Sequence, residues 1–181
     1  MKTFILCLAA LILVPSFLIQ AQNDFSYVGV ETCGMCHKTE KQGSQLAIWK
    51  NSAHSKAFET LKTEKANEIA KEKGFKTPAA ETPECLKCHV TGYNVDASML
   101  GKKFKVEDGV QCETCHGPGS AYKDMKVMKD KDLAAKNGLV VHESLEKFCI
   151  GCHNAESPTF VDMNIEEAWQ KIKHSIPEAK N

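Results

Sequence analysis

Apolar residues crowd the very start of the chain and are scattered after it. Phe4 to Ile19 is apolar apart from Pro15 and Ser16; Lys2 lies ahead of it and Ala21 with the polar Gln22-Asn23-Asp24 behind it. One positive charge, a short apolar run and a small residue at a polar boundary predict a secretory signal peptide over 1–21, cleaved near Ala21. A membrane-spanning helix needs about 20 apolar residues with anchoring flanks, and Pro15 and the polar stretch argue against one. Cys7 lies too close to the start to be a lipid-attachment cysteine. No later apolar run has spanning length, so no stable membrane insertion is expected, and the simple leader points to the periplasm.

Beyond residue 21 the apolar positions follow helical rather than alternating spacing. His54, Ala57, Phe58 and Leu61 fall at i, i+3, i+4 and i+7. They predict a helix that follows the segment Trp49-Lys50-Asn51-Ser52-Ala53-His54, is rich in Lys and Glu, and ends near Gly74. His142 shares a face with Leu145 and Cys149 ahead of a second short helix. Near the C-terminus Ile165, Ala168, Trp169 and Ile172 form an apolar stripe. His174 falls nearly opposite Ile165 on that helix, just before Pro177 stops it. Residues 22–181 suit one domain.

Composition changes this picture in two ways. All basic side chains apart from histidine are Lys, and removing Lys2 with the leader takes the formal net charge from 0 to −1. A basic patch for nucleic acid is therefore absent, and no nucleic-acid partner is expected. Aromatic residues make up only 7% of the chain, too few to fill an ordinary core, so something else must supply volume.

The cysteines supply it. Eight of the nine fall in four C-x-x-C pairs, each followed directly by His: Cys33/Cys36/His37, Cys85/Cys88/His89, Cys112/Cys115/His116 and Cys149/Cys152/His153. C-x-x-C-H is the attachment signature of c-type haem. Two thiols one turn apart reach the two vinyl groups of one porphyrin, and the adjacent imidazole sits under the iron as proximal ligand. Zinc ribbons and redox disulfides also use C-x-x-C, and eight exported cysteines can form four disulfides. Neither explains a His after every second Cys, nor the lack of any mature cysteine outside the motif. The expectation is four covalently bound haem c groups. The fold expected around them is mostly α, a haem-dominated core of short helices and loops with little or no sheet.

Three histidines remain for four sixth coordination positions: His54, His142 and His174. Three imidazoles leave one iron five-coordinate or bound by Met, Lys or Tyr. The 23 Asp and Glu side chains read mostly as solvated surface, and no catalytic acid or base stands out.

The chain resembles the cytochrome c-554 family of tetrahaem cytochromes over nearly its whole mature length. The resemblance is carried by Tyr27-Val28-Gly29 ahead of ETCGMCHK, then by IWKNSAHSKAF, ECLKCHVTGYN, GVQCETCHGPGS, DLAAKNG and CIGCHN. Of these, the Trp49-to-His54 and Gly109-to-Gly119 elements are the most specific. The resemblance implies a mostly α-helical fold in which packed haem pairs form a continuous electron path. It pairs His54 with His116, and His174 with His153. Members commonly carry a ligating His shortly after the CHGPG element; here Gly117-Pro118-Gly119-Ser120-Ala121-Tyr122-Lys123-Asp124-Met125 has none. The site matched by His89 is typically the open one. Either His142 serves the haem of His37 and that of His89 stays open, or the first haem uses Tyr122, Met125 or Met128, or stays open too.

Saturated irons transfer electrons without binding substrate. The leading expectation is thus an electron carrier outside the cytoplasm, working between redox proteins such as a multihaem oxidoreductase or quinol-linked donor and an acceptor. The resemblance adds nitrogen-cycle partners such as hydroxylamine oxidoreductase. An enzyme reducing nitric oxide, nitrite or hydroxylamine at an open haem is the alternative, and a subunit of a conductive cytochrome polymer is a third reading.

Overall fold

The structure, a computed structural model, describes residues 25–175. The expected signal peptide lies outside the described residues. The described chain is built from short helices: α1 Val30–Gly34, α2 Gln45–Asn51, α3 Ala57–Leu61, α4 Glu64–Glu72, α5 Pro83–His89, α6 Cys112–His116, α7 Met125–Met128, α8 Lys131–Lys136, α9 Leu145–Cys149 and α10 Ile165–Ile172. Short 3-10 turns punctuate them. No sheet forms among the described residues; Tyr27 and Leu100 make an isolated parallel bridge. The expected mostly α class with short helices and little sheet is what is found.

Helices of one to three turns are marginal alone, so their ends are pinned locally. Thr63, Asp124, Asp130, Ser144 and Asn164 each accept a backbone N–H at the start of α4, α7, α8, α9 and α10. Thr63 also corrects the helix expected from His54 to Gly74. The chain breaks there into a 3-10 turn at His54–Lys56, then α3 and α4, because a side chain bonding its own backbone competes with helix propagation. The predicted face is real within α3, where Phe58 and Leu61 are buried.

Two small cores result. One gathers Phe58, Leu61, Ala70, Ala79 and Val90 from α3, α4, α5 and the segments around them. The other packs Val28, Val30 and Tyr122 against the buried polar side chains of Gln111 and Glu113. Between them lies the Gly109–Gly119 segment. The indole N–H of Trp49 donates to Val110 O at 2.8 Å, and Val110 N donates to His54 O at 3.0 Å. Gly109 is required here: its φ is +67°, and a Cβ would meet His54 O at 2.8 Å. The two most specific sequence elements are thus stitched to each other.

The C-terminal part is different. No residue from 135 to 175 is buried, and Val141 and Val161 are each 77% exposed. On α10 the predicted stripe of Ile165, Ala168, Trp169 and Ile172 is half-buried while the other helical positions are exposed. This stretch has local helical order and no core of its own.

Candidate haem sites

Each C-x-x-C-H motif forms a helical turn. The second and third lie within α5 and α6; the first starts at Cys33 in α1 and the fourth at Cys149, the last residue of α9. In those two the turn continues past the helix, with His37 N donating to Cys33 O at 3.0 Å and His153 N to Cys149 O at 2.9 Å. One turn of helix sets both thiols over one edge and carries the His under them. The eight cysteines of the motifs are all free.

Folding sets motifs that are remote in sequence beside one another. The thiols of Cys33 and Cys112 lie against each other: hydrogen bonding to Cys112 pushes the Cys33 thiol up, and hydrogen bonding to Cys33 draws the Cys112 thiol down. Burial, with Cys149 and Cys112 nearby, pushes Cys115 up to about 11. Burial and the neighbouring Cys88 push Cys152 up to about 12. Lys87, inside the second motif, pairs with Glu156 just after the fourth, at 2.7 Å. The first motif thus lies against the third, the third against the fourth and the fourth against the second, while the third also meets the segment after the second, where the Thr91 and Thr114 hydroxyls are 2.6 Å apart.

The histidines fall into ring-to-ring pairs. His54 faces His153 with ring centroids 6.1 Å apart, and His174 faces His116 at 5.8 Å. The resemblance implied the opposite assignment, His54 with His116 and His174 with His153. The physical reason for the first pair lies in the 3-10 turn and the Gly109 contact, which turn His54 toward the end of α9. For the second, α10 ends at Ile172 and Lys173 is extended with ψ 147°. That frees His174 from the helical register in which it stood opposite Ile165.

The two rings of each pair stand near enough that both would hold one metal ion. The proximal rings are also turned the right way. His89 Nδ1 lies 2.7 Å from Ala57 O and His116 Nδ1 lies 3.4 Å from Val140 O, which leaves Nε2 as the ligating nitrogen. Burial holds His37, His54 and His116 below the usual imidazole range, with His174 adding to the lowering at His37 and His153 at His54. The neutral form so favoured is the form that binds metal.

The other candidates are placed elsewhere. His142 is stacked on Phe148 at 3.9 Å with Nε2 2.7 Å from Cys115 O, at the junction of the third and fourth motifs and not over His37. Tyr122 donates its hydroxyl to Gly117 O at 2.7 Å and is buried in the second core, while Met125 is 65% exposed and Met128 half-buried. No imidazole is set ring to ring against His37 or His89 among the described residues.

One residue was misjudged from sequence. Glu113, between the cysteines of the third motif, is only 2% exposed, not solvated surface. Its carboxylate accepts from Val28 N and Gly29 N at 2.8 Å each and from Gly119 N at 2.7 Å. It ties the segment leading into the first motif to the Gly-Pro-Gly turn after the third. Nothing in the local pattern distinguishes it, because its partners are remote backbone groups.

Four helical C-x-x-C-H turns are the attachment elements of a c-type cytochrome, and comparisons with known proteins bear this out. A family model described as "Cytochrome c554 and c-prime" matches residues 32–117, which contain the first three motifs. A curated relative, cytochrome c-554 of Nitrosomonas europaea, is 34% identical over 146 residues, covering 72% of this chain and 58% of the relative. The chain belongs to the cytochrome c554 family and spans less than two thirds of that relative's length. No solved structure matches it.

Proposed function

We propose that the chain binds four haem c groups and carries electrons outside the cytoplasm between redox proteins, its donor being a multihaem oxidoreductase or a quinol-linked enzyme of nitrogen-compound respiration or oxidation. The observation that carries this reading is the set of four motifs, held side by side in a protein that otherwise lacks a core over residues 135–175. Each haem supplies one-electron redox chemistry. The chain's part is to hold and insulate: Cys33 and Cys36, Cys85 and Cys88, Cys112 and Cys115, and Cys149 and Cys152 anchor, while His37, His89, His116 and His153 ligate from below. In this reading His54 closes the site of His153 and His174 that of His116. The Ala57 and Val140 carbonyls fix the proximal rings of His89 and His116, which tunes ligand basicity and hence potential.

A pyridine haemochrome assay on the purified exported protein is expected to return four haems per chain; fewer than three sinks this reading. Periplasmic fractionation with N-terminal sequencing is expected to find a mature start near Gln22. Retention of residues 1–21 would refute the leader.

The placement of His54, His142 and His174 away from His89 favours a second reading. An iron on His89, lacking an opposed imidazole, is open to a small ligand such as nitric oxide or nitrite. Electron paramagnetic resonance of the oxidised monomer is expected to show a high-spin ferric signal that nitric oxide abolishes. A wholly low-spin spectrum removes the site that this activity needs.

A further inference from the structure

Among the described residues, two buried side-chain atoms have no hydrogen-bond partner: Nδ1 of His37 and Oε1 of Gln45. One is a donor in the tautomer that ligates through Nε2, and the other is an acceptor. They belong to adjacent side chains. The Gln45 amide raises the His37 pKa against the lowering by burial and by His174, and Leu46 N donates to His37 O at 2.8 Å. The proximal rings of His89 and His116 lean on backbone carbonyls. His37 has no such carbonyl.

The amide cannot turn freely. Gln45 Nε2 donates to Ser175 O at 3.3 Å, which sends Oε1 the other way. The loop that delivers it is tight: Gly43 has φ +94° and Ser44 φ 53°, and a Cβ at Gly43 would collide with Ser175 O. The carbonyl that pins the amide therefore sits beside His174, which faces His116.

We propose that Gln45 is the positioning residue of the first haem site, its Oε1 accepting the Nδ1–H of His37 in place of a backbone carbonyl. This rests on the carrier reading above. An acceptor on Nδ1 makes the imidazole a stronger donor to the metal and favours the oxidised state. Gln45→Leu removes the acceptor, and Gln45→Glu supplies a charged one that accepts more strongly. In the haem-loaded protein, spectroelectrochemical titration is expected to show one midpoint potential raised in Gln45→Leu and lowered in Gln45→Glu. The expected size is about tenfold in the oxidised-to-reduced ratio at fixed potential, or ~59 mV for one electron. The resonance Raman iron–imidazole band of that haem, read in the reduced state, should move down and up in the same order.

Shifts of opposite sign support the assignment. Unshifted potentials in both variants, or shifts of the same sign, overturn it, as does a lowered melting temperature with all four potentials unchanged. A parent protein with fewer than three haems refutes the carrier reading instead, so the two failures are distinguishable by the haem count taken first.

Discussion

Glu113 shows how much one side chain holds. Three buried N–H groups, from Val28, Gly29 and Gly119, end on its two oxygens. Burial, and after it the Glu113 carboxylate, raises the pKa of Tyr122 beside it. Glu113→Ala leaves those donors without an acceptor, each costing about 1–3 kcal/mol, so the haem-loaded protein should lose roughly 3 kcal/mol or more in denaturant unfolding. Glu113→Gln keeps one acceptor oxygen and should fall between. At His54 the expectation concerns identity as well as loss. His54→Ala should create one new high-spin haem, and selective perturbation of the His153 signals, rather than those of His116, would confirm the pairing seen here. The four motifs were legible because attachment chemistry is written in contiguous residues. The pairing was not, because an opposed imidazole is a relation between segments about 60 to 100 residues apart.

Element by element, the amphipathic faces were legible and the helix boundaries were not. The stripe on α10 and the face of α3 appear where the 3.6-residue spacing put them. The break at Thr63 and the early end at Ile172 came from side-chain-to-backbone bonding and from an extended Lys173, which apolar spacing does not encode. Helix α10 starts on Asn164, whose Oδ1 accepts Glu167 N at 3.2 Å. Asn164→Ala should destabilise that helix by about 1 kcal/mol. Since His174 follows directly, the variant should weaken the low-spin signal of the His116 site before it affects the other haems. An unaltered spectrum under mild denaturant would refute that order.

At the scale of the molecule, the two small cores and the unburied C-terminal part divide stability between polypeptide and cofactor. Haem-free chain should therefore show little hydrogen-exchange protection over residues 135–175, and cooperative thermal unfolding of that form would count against a haem-built core. Acid should act in the same direction. His37, His54 and His116 must be neutral to bind metal and are lowered in the folded state by burial, so the unfolded haem-bearing chain binds more protons, and stability falls as pH drops below the unfolded imidazole value of about 6.5. Above that value these rings contribute no pH dependence. Unfolding midpoints measured from pH 8 to 5 should fall only in the lower half of the range; a rise there would show the sign to be wrong. The shortage of aromatics foretold a thin core, but not that it would split around Gly109–Gly119.

The place of the third motif also bears on how the protein is made. A chain emerging N-terminus first presents Cys33–His37 and Cys85–His89 for haem attachment before Cys112–His116, yet it is the third motif that lies against both, through the Cys33 and Cys112 thiols and the Thr91 and Thr114 hydroxyls. A product cut short before Cys112 would therefore hold two attachment sites without the segment that joins them.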